Sequence, residues 1–316
     1  MLELKKRQIY AVIGVIVVLF LSWLGPTLLR RLGILDPQAP SRASPYDERQ
    51  AQALRPQFAA DLDRVALAPH YTLTATVDVD NSAVTGEMDV HLTNRTDDVI
   101  SSLVFRLYPN ADTIYGGGGL TLDRIVRGAA ALDTSYSEDG TVVRAELETP
   151  LQPDAATTVG LTFAAQVPQS LAQGYGIFAE ARGLLSMAGW YPVLAPYEAG
   201  EGWQTSGVPI VGDAMLSETS LYEVALTVPA DHRVVATGSL IDRETDGDQT
   251  TWRWVSGPAR EFAAAVSARF NTVEVTVDGV DIRVHTLPAV DPVTPPREAL
   301  GMAEAVFSTY VEAYGP

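Results

Sequence analysis

The chain contains no cysteine among its 316 residues. This absence excludes disulfide bonds, thiolate metal sites and a cysteine nucleophile. Histidine is also scarce, with only His70, His91, His232 and His285, and no two of them are four positions apart. A zinc pair on one helix needs histidines at i and i+4, so that both rings leave the same face. The sequence therefore holds no such pair and no cofactor site, and it predicts that all four histidines are solvated.

Two other catalytic signatures are missing. There is no Gly-x-Ser-x-Gly motif, which argues against a serine hydrolase of the nucleophile-elbow type. The four-glycine run 116–119 is not followed by Lys and Ser or Thr, so it is not a phosphate-binding loop. The sequence predicts a flexible hairpin loop at these glycines.

Positive charge is in short supply. The chain has 22 Lys and Arg against 39 Asp and Glu, a formal net charge of −17. The first 31 residues carry +4, so the remainder carries −21. An acidic body repels phosphate backbones. We therefore expect no nucleic-acid partner.

One long apolar run lies near the N-terminus. Residues 9–29 contain no charge and are long enough to cross a hydrocarbon core of about 30 Å. A cleaved signal peptide is the alternative, but no small-x-small cleavage pattern follows the run. Three positive residues precede it and two follow it, which places the N-terminus in the cytoplasm and the body outside. The sequence predicts a cytoplasmic tip and single-pass bilayer anchor over 1–34, at the cell membrane.

The next segment, 35–67, is predicted to be a linker and a short helix. Residues 35–44 are rich in Pro, Ser and Ala, without an apolar period. Ser44 can cap a helix that starts at Pro45, and Pro56 should interrupt it.

From Pro69 onward the apolar residues alternate with polar ones, which is typical of strands with one buried face. Predicted strands cover 71–79, 88–92, 103–107, 120–126, 142–147, 159–165, 221–228, 273–277 and 282–286. Short strands at this spacing favour a sandwich or saddle of antiparallel sheets. The predicted fold is mainly β, preceded by one transmembrane helix and followed by a short α/β piece that ends in an amphipathic helix.

Two clusters in the middle of the chain have alternative interpretations. Trp190, Tyr191, Tyr197 and Trp203 bring a large aromatic area together, either as core or as a binding surface. The carboxylates Glu198, Glu201, Asp213 and Glu218 could hold a hard cation such as calcium. They lack the alternating spacing of a known ion cage, so a solvated loop is the expected structure.

Several motifs in this region occur in a characteristic order. GWYPVLAPY (189–197), GD (212–213), SETSLYEVALTVP (217–229) and VVATGSL (234–240) are followed by WRW (252–254) and GPAREFA (257–263). This order resembles the N-terminal β-domain of the aminopeptidase N-like zinc metallopeptidases, the gluzincins. The resemblance implies a β-domain over 68–271 and the start of a catalytic domain over 272–316. In that family the H-E-x-x-H motif and a later Glu lie further along, and this chain does not contain them.

The resemblance also implies a role for the aromatic loop as one wall of a substrate cleft. The candidate cleft-facing residues are Ser186, Met187, Trp190, Tyr191, Tyr197 and Trp203. In the family, an N-domain side chain near this point helps to hold the amino end of the substrate. The matching stretch 185–189 has no Gln or Glu for this task.

The C-terminal segment is predicted to form an amphipathic helix with Thr294 as its cap. One apolar stripe at helical spacing comprises Leu300, Ala303, Phe307, Tyr310, Val311 and Tyr314. We expect nothing downstream of this stripe to bury it. It resembles the first helix of the family's catalytic domain.

The sequence leaves two hypotheses. The first is the non-catalytic N-terminal portion of a membrane-anchored, zinc-dependent aminopeptidase-like enzyme. In that case zinc and a peptide substrate are implied for the full-length enzyme, which contains the catalytic domain. The second is a complete membrane-anchored β-sandwich that binds a partner or serves as a scaffold at the cell surface.

Overall fold

The computed structural model of the protein describes residues 47–171, 175–288 and 295–315, all within one compact unit. The predicted anchor at 9–29, the linker at 35–44 and the caps Ser44 and Thr294 lie outside the described residues. In the described ranges, no helix combines the length and apolarity that a membrane span requires.

The helices are short except for the last one. They are α1 (Asp47–Gln50), α2 (Asp112–Tyr115) and α3 (Pro296–Tyr314), with 3₁₀ turns at Ala51–Ala53, Pro56–Val65 and Tyr108–Asn110. The helix predicted after Pro45 is therefore present only as α1 and two 3₁₀ turns. The break expected at Pro56 is confirmed, because Leu54 and Arg55 are extended there.

Twenty strands occur in the described part of the chain. In chain order they are β1 (His70–Asp78), β2 (Ala83–Thr93), β3 (Ile100–Arg106), β4 (Gly119–Arg127), β5 (Ala130–Ala131), β6 (Thr134–Tyr136), β7 (Val142–Leu151), β8 (Ala156–Gln166), β9 (Phe178–Ala181), β10 (Leu184–Met187), β11 (Val193–Leu194), β12 (Tyr197–Glu198), β13 (Gly202–Trp203), β14 (Leu221–Pro229), β15 (Arg233–Ala236), β16 (Ser239–Asp246), β17 (Gln249–Val255), β18 (Ala264–Ser267), β19 (Asn271–Val277) and β20 (Val280–Thr286). The prediction of a mainly β fold with a C-terminal helix is confirmed.

These strands form three main sheets and two hairpins. The largest sheet has the order β16-β17-β14-β1-β2-β8-β4-β5, and the two smaller ones are β15-β18-β10-β9 and β11-β3-β7-β6. The strand pairs β12-β13 and β19-β20 are separate hairpins. The pairings are antiparallel as expected, except that β1 and β14 run parallel, with Tyr71 opposite Tyr222. The large sheet is therefore mixed.

The core lies between the large sheet and the two smaller ones. Along β1 every second residue is buried, which is what the alternation of apolar and polar residues predicts. One contiguous cluster joins Leu73 of the large sheet to Phe105 and Leu185 of the smaller sheets. Burial of this apolar surface is the main favourable term in folding.

The expectation that all four histidines are solvated is wrong for His70. This side chain is only 3% exposed, and its Nε2 lies 3.1 Å from the Gln50 Nε2 of α1. The short N-terminal helix covers the start of β1, which local alternation did not reveal. Burial, with a smaller effect of the His91 charge, lowers the pKa of His70 to about 4. The other three histidines are half-buried.

The shift in His70 predicts a specific pH dependence of stability. The folded protein binds fewer protons at this group than the unfolded chain between pH 6.5 and pH 4, so stability should fall as pH decreases through that window. A shift of this size corresponds to roughly 3 kcal/mol. Urea unfolding at several pH values should show this loss in the wild type and a flatter profile in His70→Gln. The matched variant His232→Gln should keep the loss, and an unchanged profile for His70→Gln would refute the assignment.

The C-terminal helix is only partly covered by the rest of the described structure. The hairpin β19-β20 contacts α3, and Leu300, Ala303, Phe307 and Val311 are half-buried rather than bare. The apolar stripe is thus partly covered by the hairpin that immediately precedes the helix. The neighbouring side of the helix remains open, and it presents Met302, Val306, Tyr310 and Tyr314, which are each more than half exposed. The last two belong to the predicted stripe.

Candidate functional site

The aromatic segment divides into a buried part and a half-exposed part. Trp190 and Tyr191 are fully buried, and Met187 is 1% exposed. The indole Nε1 of Trp190 donates to the Phe262 carbonyl at 3.1 Å, and the Phe262 amide donates to the Tyr191 hydroxyl at 3.0 Å. The hydrophobic core therefore includes Met187, Trp190 and Tyr191. Of the predicted cleft-facing residues, those with accessible surface are Ser186, Tyr197 and Trp203.

Tyr197 and Trp203 line a pocket of about 230 Å³. They belong to the hairpin β12-β13, and their rings meet edge to face with centroids 5.0 Å apart. The Trp203 Nε1 donates to the Ser102 carbonyl at 2.8 Å, which fixes the ring above β3. The floor of the pocket is apolar and includes Leu92, Ile100 and Leu194.

The loop after β2 forms the other wall of this pocket. Asp98 holds the hairpin against the loop, because its Oδ2 accepts from the Tyr197 hydroxyl at 3.2 Å and from the Gly200 amide at 2.7 Å. Asn94 is 2% exposed, and its Nδ2 donates to the carbonyls of Asp98 and Leu151. The wall is therefore a tightly bonded turn.

Arg95 and Glu218 are the charged groups that line this pocket. The Arg95 guanidinium forms an ion pair with the Glu218 carboxylate. The side chains are 46% and 27% exposed, so both retain access to solvent. Glu218 was singled out from the sequence as one of four acidic residues, whereas Arg95 was missed because nothing in its local pattern marks it.

The four predicted carboxylates do not form a cation site together. Glu218 pairs with Arg95, and Glu198, Glu201 and Asp213 are exposed at separate points of the loop. Over the described ranges, no group of three or more His, Asp or Glu side chains is placed to hold a metal ion.

Two other carboxylates, Glu261 and Asp213, interact electrostatically with each other and with Tyr115. Glu261 is half-buried, and burial raises its pKa, with a further contribution from the charge of Asp213. Burial also raises the pKa of Tyr115, and both carboxylates add to that effect. Gly189 lies against the Tyr115 hydroxyl, so this cluster borders the predicted cleft-facing stretch. Asp213 is one of the four carboxylates that the sequence suggests as candidates, and Glu261 is not among them.

Arg106 is a buried cation in the same region. It is 2% exposed, its guanidinium lies 5.2 Å from the centre of the Tyr108 ring, and its Nη1 donates to the Gln204 carbonyl at 3.4 Å. Within the described residues its Nε has no hydrogen-bond partner, and no carboxylate forms an ion pair with it. The ring offsets part of the desolvation cost. The alternation pattern of β3 gave no sign of this residue.

The exposed face of the large sheet carries a wider groove of about 620 Å³. Threonines from four neighbouring strands line it, together with two carboxylates: Thr74, Thr76, Thr85, Thr121, Thr162, Glu87 and Asp123. None of the residues proposed from the sequence faces this groove. It has no aromatic or cationic lining residue other than Phe163 in its floor.

Comparisons with known proteins bear on the fold. No protein-family model matches the chain, and no curated protein sequence matches it. The solved structures that resemble it include the M1 zinc metallopeptidase of Deinococcus radiodurans, at 18% identity and a TM-score of 0.53 over 79% of this chain and 54% of that one. A mutant of that enzyme gives a TM-score of 0.51 at the same identity and coverage.

The chain spans about half the length of these solved structures. An identity of 18% shows a shared fold and not a shared activity. The fold of the described part of this chain therefore resembles the N-terminal domain of M1 zinc metallopeptidases.

Proposed function

We propose that this chain is the N-terminal, non-catalytic portion of a membrane-anchored, zinc-dependent aminopeptidase-like metallopeptidase. The observation that carries the proposal is the fold, which matches M1 zinc metallopeptidases across 79% of the chain but only about half of theirs. The same mutant of the Deinococcus enzyme has also been solved with a bound Tyr-Ser-Ala substrate. We infer that a peptide is the substrate of the complete enzyme here too.

An exposed apolar loop supports the proposal that another domain packs on this one. Ile210 and Val211 are 64% and 79% exposed, and Tyr175, at 58%, donates its hydroxyl to the Ile210 carbonyl. Adjacent apolar side chains of this size at a protein surface often mark an interaction site. This loop leads directly into Asp213, whose charge acts on Glu261. A domain that covers the loop would therefore lie close to these two carboxylates.

The open side of α3 is a second surface of this kind. Met302, Val306, Tyr310 and Tyr314 recur every four residues and so lie on one face. The rings of Tyr310 and Tyr314 touch each other, with centroids 5.8 Å apart. Since the hairpin contacts the helix and leaves these four side chains exposed, we infer that further polypeptide of the catalytic domain covers them.

The described residues do not fit a zinc ion. Zinc is held by a cluster of His, Cys, Asp or Glu side chains, and the described residues contain no such cluster. His70 is buried and contacts Gln50. We therefore assign no zinc ligand and no catalytic role to the described residues. The metal belongs to the catalytic domain in this proposal.

The proposal includes an anchor at residues 9–29 with the body outside the cell. Its support is the uncharged apolar run and the surplus of positive residues before it. Extraction of the full chain from membranes tests this part. It should resist alkaline carbonate and require detergent, whereas release by carbonate would argue against the anchor.

The coding sequence beyond Pro316 separates the two hypotheses. The proposal expects the frame to continue into a segment with H-E-x-x-H on a helix. A stop codon directly after Pro316 would reject it in favour of the complete membrane-anchored binding module.

A further inference from the structure

The pocket at Tyr197 and Trp203 carries one positive and one negative group at its edge. Its other lining residues are uncharged. The amide of Asn94 is fully used inside the protein, since its Oδ1 accepts from both the amide and the hydroxyl of Thr96. The polar recognition that this pocket offers therefore comes chiefly from Arg95 and Glu218.

The pair between these two residues can be opened at small cost. Partly exposed ion pairs contribute only about 0–1 kcal/mol, because solvent screens them and their side chains lose conformational freedom. The Tyr197 amide also donates a long hydrogen bond to Glu218 Oε1, at 3.5 Å, and this contact does not depend on Arg95. A ligand with its own carboxylate and ammonium group can satisfy both residues at once.

The remainder of the pocket suits an apolar group. Tyr197 and Trp203 form one wall and are held by hydrogen bonds to Asp98 and Ser102, so little further ordering is needed on binding. The volume of about 230 Å³ lies below the roughly 300–1,000 Å³ of pockets for drug-sized ligands. A pocket of this size suits a ligand smaller than a drug-sized molecule.

We propose that this pocket binds a free α-amino acid with an apolar side chain. The ligand carboxylate binds Arg95, the ammonium group binds Glu218, and the side chain lies against Tyr197 and Trp203. This inference is independent of the proposed peptidase function, because no residue of the pocket is assigned to catalysis.

Calorimetric titration of the full chain in detergent with L-leucine and L-phenylalanine tests the proposal. N-acetyl-L-leucine lacks the ammonium group and L-leucinamide lacks the carboxylate, so each should bind at least about tenfold more weakly. Equal affinity for L-leucine and both blocked compounds, or no saturable binding of L-leucine or L-phenylalanine, would overturn the proposal.

Protein variants provide a second arm. Arg95→Gln and Glu218→Gln should each weaken L-leucine binding about tenfold or more. The matched control is Arg253→Gln, which removes an ion-paired arginine at another edge of the protein, beside Asp242. It should bind like the wild type. Equal weakening in all three variants would show that the effect is general charge and not this site.

Discussion

Replacement of Trp190 by alanine is expected to lower the free energy of unfolding by about 3–5 kcal/mol. The side chain is fully buried, and its ring contacts Phe163 and Tyr191 with centroid distances of 6.2 and 5.4 Å. Removal of the indole leaves a cavity and also deprives the Phe262 carbonyl of its donor. Urea unfolding at neutral pH measures the loss directly.

Trp203→Ala is the matched control for this prediction. Trp203 also donates its Nε1–H to a backbone carbonyl, but it is half-buried at the edge of the pocket. Its removal should cost about 1–2 kcal/mol. If Trp203→Ala destabilised the protein more than Trp190→Ala, the assignment of Trp190 to the core and Trp203 to the surface would be wrong.

Gly238→Ala should lower the free energy of unfolding nearly as much as Trp190→Ala does. Gly238 lies between β15 and β16 with φ of +88°, and a Cβ there would stand 2.2 Å from the Val255 carbonyl oxygen. The backbone of β17 cannot move away without loss of its pairing with β14 and β16. Strain of about 1–3 kcal/mol adds to a similar overpacking cost, so we expect a loss of about 2–6 kcal/mol.

Gly247 is the matched control, because it also has a positive φ but leaves room for a Cβ atom. Its φ is +60°, and nothing lies within 4 Å of a Cβ built on it. Gly247→Ala should cost only the strain, about 1–2 kcal/mol. Comparable melting temperatures for the two alanine variants would contradict the steric argument at Gly238.

Much of the fold follows from local patterning. The alternation in Tyr71–Val79 and Leu221–Val228 identifies two central strands, because each has one face in the core and one in water. The parallel pairing of β1 with β14 could not be predicted in this way. It joins residues about 150 positions apart, and alternation is the same for parallel and antiparallel neighbours.

The candidate site was less accessible to prediction for the same reason. The six residues proposed as cleft-facing were chosen by order along the chain, and the core encloses Trp190 and Tyr191 because β1, β14 and the segment before β18 meet there. Arg95 becomes relevant only when the loop after β2 reaches Glu218. Such contacts depend on tertiary structure, and no local sequence signal records them.

The most direct test of the central claim is an assay of the purified protein for hydrolysis of aminoacyl amides with added zinc. If this chain is the β-rich part of a peptidase without its metal centre, the purified protein should show no hydrolysis above the buffer rate. A rate that depends on zinc and is abolished by a chelator would contradict the account.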